Sequence, residues 1–348
     1  MHAKAPKPPT LTDVARLAGV SVPTASRALN GGVRGAQSGS AELRQRVTDA
    51  ARALGYSVNP AAQATKGGRS RTVAVLVSDI EDYGSATMIS GVMHAAEKRG
   101  ASVAVRTTRD DPLREHELLA QLPGERHRAV IIATSRTTDA HRESALARQL
   151  DTLVEQGTRV VVVGDSSLEF PSVTVDNRVA ARLLADGLAR AGLRRFAILS
   201  APASEITAHD RVDGFLAGLA EHDITVPRQD VIHRTFSRDG GYAAVRALEG
   251  RLDQFDVLAA MSDAMAVGAI ARLYELGIDV PREIEVTGFD HVPMLGDVLP
   301  QFSTVEVPLE AFGEAALSLC LDEDDVPADT TIALRATPIV RGTAVKRR

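Results

Sequence analysis

The chain has 348 residues, 44% of them hydrophobic and 24% charged, which suits two or three globular domains and excludes a compositionally disordered chain. Its one cysteine, Cys320, excludes an internal disulfide framework and a multi-cysteine zinc site, and no apolar run reaches the roughly 18 residues of a membrane span. The net charge of −5 hides an asymmetry, because residues 1–71 hold 11 Lys and Arg against 3 Asp and Glu, and the remainder 29 against 42.

A basic head on an acidic body is the electrostatic footprint of a nucleic-acid contact, since each neutralised phosphate releases condensed counterions. A merely solvated basic tail has the same composition, so patterning decides. The opening MHAKAPKPPTLTD has no apolar core behind its lysines and does not read as a signal peptide, which implies a cytoplasmic protein. Thr10 is placed to cap a first helix with Leu11, Val14, Ala15 and Ala18 on one face, and Gly19 to turn the chain. Ser21 is placed to cap a second, with Pro23 in its first turn and Ala25, Ala28 and Leu29 facing inward. Asn30-Gly31-Gly32 ends it. A third helix follows a polar loop, with Leu43, Val47, Ala50, Ala51 and Leu54 on one face. Three short helices with a glycine turn between the first two predict a helix-turn-helix.

The stretch TLTDVARLAGVSVPTASRALNG, residues 10–31, resembles the headpiece of the LacI (lactose-repressor-like) family of bacterial transcription regulators. The resemblance implies that the helix opening at Val22 lies in the major groove of double-stranded operator DNA, with Val22, Pro23 and Arg27 at base edges. It implies phosphate contacts for Thr10, Ser21, Thr24, Ser26, Asn30, Tyr56 and Asn59. The chemistry agrees: hydroxyls and amides at helix starts suit phosphate oxygens, and an arginine suits guanine O6 and N7. The chain departs from the family in the loop 33–40, which is about four residues longer than usual. The family's hinge helix, which kinks the minor groove with a leucine, corresponds here to NPAAQATKGGRS (59–70). Ala62 and Thr65 stand at its minor-groove positions. Thr65 replaces the leucine, and Gly67-Gly68 ends any helix at once, so a weaker kink, or a plain linker, is expected.

Beyond residue 71, short Val/Ile-rich runs alternate with helical patterns. The predicted strands are 72–77, 102–105, 129–133, 159–163, 196–200, 256–261 and 284–289, and four helices are predicted to stop at Gly100, Gly157, Gly192 and Gly277. This body also resembles the LacI family, through VTVDN (173–177), RVDGF (211–215), MSDAMAVGAI (261–270), EVTGFD (285–290), FSTVEVPLEAFGEAA (302–316) and TPIVRGT (337–343). That implies an α/β fold like a periplasmic binding protein, with two Rossmann-like lobes. The expected organisation is a headpiece at 1–58, a hinge or linker at 59–70, and an effector-binding and dimerisation domain at 71–343. Its first lobe is expected at about 71–176 and 292–322, its second at about 177–291 and 323–343. The family's optional tetramerisation coil has no heptads to form it here, so a homodimer on a pseudopalindromic operator is expected.

Clefts at the carboxyl ends of parallel strands bind small ligands. Asp79, Tyr83, Ser85, Ser135 and Asp165 follow strands of the first lobe, while Arg211, Phe236, Ser262 and Asp290 belong to the second. Carboxylates and an arginine can share a polyol's hydroxyls, and a ring can stack on a sugar's apolar face, which implies a carbohydrate-like effector. In the family Arg211, Phe236 and Asp290 match effector-contacting positions, and Asp165 does so more loosely. Sugar-binding members usually carry Asn where this chain has Ser262, and a different stretch where it has Asp82-Tyr83-Gly84-Ser85. An enzyme is not expected: no dinucleotide, P-loop, zinc-protease or serine-hydrolase motif is present, the histidines are scattered, and no cofactor or metal is called for. The alternative is a regulator with a decayed or repurposed effector site, whose DNA binding is constitutive or controlled by another protein.

Overall fold

The computed structural model describes residues 9–29, 40–56, 70–321 and 326–341, and the chain divides into two compact units, Met1–Ser70 and Arg71–Arg348. In the first, α1 (Leu11–Leu17), α2 (Val22–Leu29) and α3 (Ala41–Leu54) surround an aliphatic centre. Each begins on a hydroxyl. Thr10 Oγ1 accepts from Asp13 N at 3.3 Å while Thr10 N donates to Asp13 Oδ2 at 3.0 Å, forming a capping box. Ser21 Oγ accepts from Thr24 N, and Ser40 Oγ from Leu43 N, each at 3.3 Å. Gly19 makes the turn at φ +64°, a conformation that a β-carbon would strain. Val14, Ala15, Ala18, Ala25, Val47, Ala50 and Ala51 are the core, flanked by Leu11, Leu29, Leu43, Leu54 and Tyr56. All the inward positions read from the helical spacing are in this cluster.

The second unit contains two parallel sheets. The larger has the order β11-β5-β4-β3-β1-β2 and the smaller β7-β6-β8-β9. In the first lie β1 (Thr72–Val77), β2 (Ser102–Thr107), β3 (Ala129–Ala133), β4 (Arg159–Val163), β5 (Ser172–Val175) and β11 (Thr331–Leu334). In the second lie β6 (Phe196–Ser200), β7 (Val231–His233), β8 (Val257–Ala260) and β9 (Glu285–Thr287). An antiparallel pair, β10 (Thr304–Glu306) with β12 (Thr337–Ile339), completes the strands among the described residues. The central strands read as unbroken apolar runs because both of their faces are covered: Val73 through Val77 are 0% exposed. Covering the first sheet are α4 (Tyr83–Lys98), α5 (Pro112–Glu125), α6 (Ala140–Glu155) and α12 (Leu309–Leu321). The second is covered by α7 (Asn177–Arg190), α8 (Ile206–Ala220), α9 (Arg238–Leu248) and α10 (Asp263–Glu275), with the short α11 (Pro293–Val298) after β9.

All seven predicted strands are present, and the four predicted glycine stops have φ of 62°, 84°, 96° and 75°. Two boundaries differ. Residues 292–322 were expected in the first lobe, yet Leu295 and Phe302 belong to the core of the second and Gly288 N donates to the Ser303 carbonyl at 3.0 Å, so the return to the first lobe comes with the helix at Leu309–Leu321. Residues 323–343 were expected in the second lobe, yet Thr331–Leu334 pairs in parallel with Ser172–Val175 at the edge of the first sheet. After that strand, β12 with Val340 and Arg341 reaches the second lobe, where Arg341 N donates to Ser303 Oγ at 3.0 Å. Residues 331–334 are alternately exposed and half-buried, as an edge strand is, so they lack the apolar run that marks the inner strands.

Two helices of the first lobe meet backbone to backbone. A β-carbon on Gly91 in α4 would fall on the Glu310 carbonyl, and one on Gly313 in α12 on the Met88 carbonyl. The glycines let a helix from the start of the lobe and one from its returning end pack at minimal separation.

Candidate DNA-reading face and effector cleft

In the first unit, Ser21, Val22, Pro23 and Arg27 are exposed together at the start and outer face of α2. Val22 is 38% exposed, an apolar side chain left out of the core behind it. Arg27 Nε donates to the Pro23 carbonyl at 3.3 Å, one turn back along the helix. Ser21 and Thr24 share a hydroxyl hydrogen bond of 2.7 Å. Thr10 is exposed, but its hydroxyl donates to Asp13 Oδ2 at 2.6 Å. That bond holds the Asp13 carboxyl below the usual range, so Thr10 acts first as a cap. Tyr56 packs beside the core, with its amide on the Ala51 carbonyl at 2.8 Å. Ser26 is half-buried. Asn30, Asn59, Ala62 and Thr65 lie outside the described residues.

In the second unit, two residues predicted for the cleft, Arg211 and Asp290, form an ion pair. Arg211 is 9% exposed at its side chain and reaches Asp290 Oδ1 at 3.1 Å. It also donates to Asn177 Oδ1 at 2.9 Å and to the Met261 carbonyl at 2.7 Å. Its guanidinium lies 3.8 Å from the centre of the Phe289 ring and 5.8 Å from that of Phe236. Three of its five N–H groups are thus engaged by the protein, which leaves two for a ligand. Asp290 and His291 both have positive φ, 114° and 62°. These are uncommon, strained conformations for non-glycine residues, and they bend the chain at the end of the second sheet.

Burial pushes the Asp290 carboxyl up to about 6; Arg211 opposes the rise, and Asp82, across the cleft, adds to it. Behind it, Asp263 is raised to about 7 by burial and by Asp290, against the pull of donors from Val292 N at 2.6 Å and Thr304 Oγ1 at 2.9 Å. Asp165 is raised by burial and then by Asp210 and Asp176. Asp290, Asp263 and Asp165 therefore all hold their protons more tightly than free carboxyls do.

The remaining predicted residues are dispersed. Tyr83 and Asp290 line a cavity of about 530 Å³ with Thr87, His291 and Leu309. Asp79 turns back to accept from Glu81 N at 3.1 Å. The Ser85 amide donates to Asp82, which caps α4. Ser135 sits 3.5 Å from Ser78 Oγ and 3.4 Å from Asp110 Oδ1. Ser262 caps α10 by accepting from Met265 N at 3.2 Å, so its buried hydroxyl serves the helix. Sequence reasoning missed Asn177, Asp263 and Phe289. Each stands beside or inside a stretch that was recognised, but only the folded backbone shows that they converge on Arg211 and Asp290.

The profile of the "Bacterial regulatory proteins, lacI family" matches residues 10–59, and that of the "Periplasmic binding protein-like domain" matches residues 185–344. The chain is 30% identical to the HTH-type transcriptional regulator GalR of Escherichia coli, over 93% of this chain and 92% of that protein. It is 30% identical to MalR of Streptomyces coelicolor, over 90% of this chain and 89% of that one. Among solved structures, the transcriptional regulator CelR–cellobiose complex aligns with a TM-score of 0.67 at 27% identity, covering 96% of this chain and 99% of that one. Similarity thus runs over nearly the whole chain, headpiece and both lobes, and the chain belongs to the lacI family of bacterial regulatory proteins.

Proposed function

We propose that this transcription regulator works in the cytoplasm as a homodimeric repressor of a pseudopalindromic operator, and that a small carbohydrate-like effector in the cleft changes its operator affinity. The observation that carries the DNA-binding half is the exposed edge of α2, with Val22, Pro23 and Arg27 projecting from a segment of 11 basic and 3 acidic residues. Arg27 is the specificity-bearing group, Val22 and Pro23 supply apolar contact to a thymine methyl, and the hydroxyls of Ser21 and Thr24 fix register on phosphates. One headpiece reads one half-site, so a two-fold pair of chains is required for the whole operator. Met294 and Val298, 72% and 75% exposed on α11, suit burial against a second copy.

The division that supports this reading is a headpiece at 1–58, a linker at 59–70 and an effector and dimerisation unit at 71–343. The cleft supports a polyol ligand through the two N–H groups of Arg211 left over, the Asp290 carboxylate and the Phe236 ring, and the related CelR structure holds cellobiose. Ligand shifts DNA affinity only by its differential affinity for two lobe arrangements, typically ~1–3 kcal/mol of coupling. Among the described residues no helix is long and apolar enough to cross a membrane.

The test is selection of an operator from random DNA by the full-length protein, followed by titration at several salt concentrations and a thermal-shift panel of sugars. Binding with a steep salt slope, lost on deletion of residues 1–70, is expected, together with a sugar that raises the melting temperature and changes operator affinity. DNA affinity that survives the deletion removes the headpiece reading. Intact DNA binding with no response to any sugar favours a regulator whose effector site is repurposed.

A further inference from the structure

Away from Arg211, the two lobes touch directly. The segment after β3 is fixed from within the first lobe by Arg136, whose side chain is 3% exposed. It donates to the Thr134 carbonyl at 3.1 Å, to Glu143 Oε1 at 3.3 Å and to Glu115 Oε1 at 2.6 Å. Thr134 also binds Glu115, and Arg142 stands 3.5 Å from it, so two buried carboxylates face two guanidiniums. Held this way, residues 136–138 present a backbone edge to the second lobe. Ile206 N donates to Arg136 O at 3.0 Å and Thr138 N to Ser204 O at 2.8 Å, with Thr137 opposite Glu205 in an antiparallel bridge. Thr137 Oγ1 adds a bond to Ser204 O at 3.0 Å. These contacts join the two lobes at a point away from Arg211.

Glu205 makes the contact conditional. It is the N-cap of α8 yet makes no side-chain capping bond. Burial, and then Asp110 from the loop after β2, push its carboxyl up to about 7, with Arg142 from the first turn of α6 opposing. Nearby ionisable groups are His209, one turn along α8 and 3.3 Å from Asp213, and His141, exposed in the first turn of α6. A neutral Glu205 fits beside Asp110. An ionised one is repelled by it and drawn to water.

We propose that the bridge between 136–138 and 204–206 is a proton-controlled clasp, which closes the lobes when Glu205 is protonated and releases them when it is ionised. Parting the lobes returns Glu205 to water and to the ordinary carboxyl range, so closure takes up a proton. The closed-to-open ratio of the ligand-free protein then falls roughly tenfold between pH 6 and pH 8.

Hydrogen–deuterium exchange of the full-length, ligand-free protein reads the clasp at the Thr138 and Ile206 amides, once intrinsic exchange at each pH is corrected for. Protection of both amides should fall about tenfold from pH 6 to pH 8 in the wild type and stay constant over that range in Glu205→Gln. Asp110→Asn, which removes the facing charge and leaves Glu205 in place, should move the transition to lower pH. Both histidines remain in each variant. Unprotected amides at pH 6 in the wild type, a pH response surviving in Glu205→Gln, or an unmoved transition in Asp110→Asn overturns the proposal. No DNA or effector is present, so the outcome is independent of the proposed function.

Discussion

The Arg211 guanidinium lies 3.8 Å above the centre of the Phe289 ring, so its plane is set by a residue buried in the core of the second lobe. The stack fixes which way the donors point, and the bonds to Asn177, Met261 and Asp290 fix their rotation. Lysine at this position has neither the plane nor enough donors in the right directions. Arg211→Lys should cost about 1–3 kcal/mol in thermal stability, because Asn177 and Asp290 lose buried partners. It should also abolish effector binding by isothermal titration calorimetry. A variant as stable as the wild type with unchanged effector affinity would show that the arginine binds neither.

Asp290→Asn keeps an acceptor for Arg211 and removes the charge. Effector response should be lost while effector-free operator affinity stays within about threefold, since the coupling and not the DNA contact is removed. Operator titrations with and without ligand measure both quantities.

At the other site, Arg27→Ala should weaken operator binding by roughly 1–3 kcal/mol and relax preference at one base of each half-site. Competition against operators mutated base by base separates this from a uniform loss. An equal fall on operator and random DNA would identify Arg27 as a phosphate clamp.

Asp263 supplies a pH-dependent test of the second lobe. Its carboxyl is held at about 7 in the folded protein, above its ordinary value, so its contribution to stability is present at low pH and is lost as pH rises through that range. The Thr304 hydroxyl at 2.9 Å favours the ionised form. Thr304→Val should therefore destabilise by about 1–3 kcal/mol at pH 8 and by less at pH 5, where the carboxyl is protonated. Chemical denaturation at the two pH values reads the difference.

Two glycine substitutions should act in opposite directions. Gly313→Ala drives a methyl into the Met88 carbonyl of α4 and should cost about 1–3 kcal/mol or more. Gly124→Ala, in α5 with open space around it, should add about 0.4–1 kcal/mol by restricting the unfolded chain. Thermal melts of the two variants test the packing assigned to α4 and α12.

The inner strands were legible because a parallel strand covered on both faces must be apolar throughout, as TVAVLV and RVVVV are. The segments VIH of β7 and TIAL of β11 are three and four residues long and partly exposed, so neither length nor burial marked them. The headpiece was legible to the level of its caps, since Thr10, Ser21 and Gly19 act locally. The cleft was legible only in part. Arg211 and Asp290 are 79 positions apart, and Arg211 and Asn177 are 34 apart, so their convergence depends on the fold as a whole. Ser262 shows the opposite difficulty, because a serine at the end of a strand has the same appearance whether its hydroxyl meets a ligand or begins the next helix.

The direction of β1 has a mechanical consequence. This strand begins at Thr72, and Ser78 and Asp79, the latter predicted for the cleft, follow its far end. Six residues of strand at about 3.3 Å each separate the two ends by roughly 20 Å, across a sheet with no slack in its packing. On the function proposed above, effector and linker would communicate through a stiff lever arm rather than through contact. A tilt of the lobe by a few degrees displaces the linker end by on the order of 1–2 Å, the scale on which interface shifts switch other regulated proteins. Substitutions that soften the interior of the sheet, such as at Val75 or Ile131, would then blunt the response to the proposed effector although both residues are buried in the sheet away from its ends.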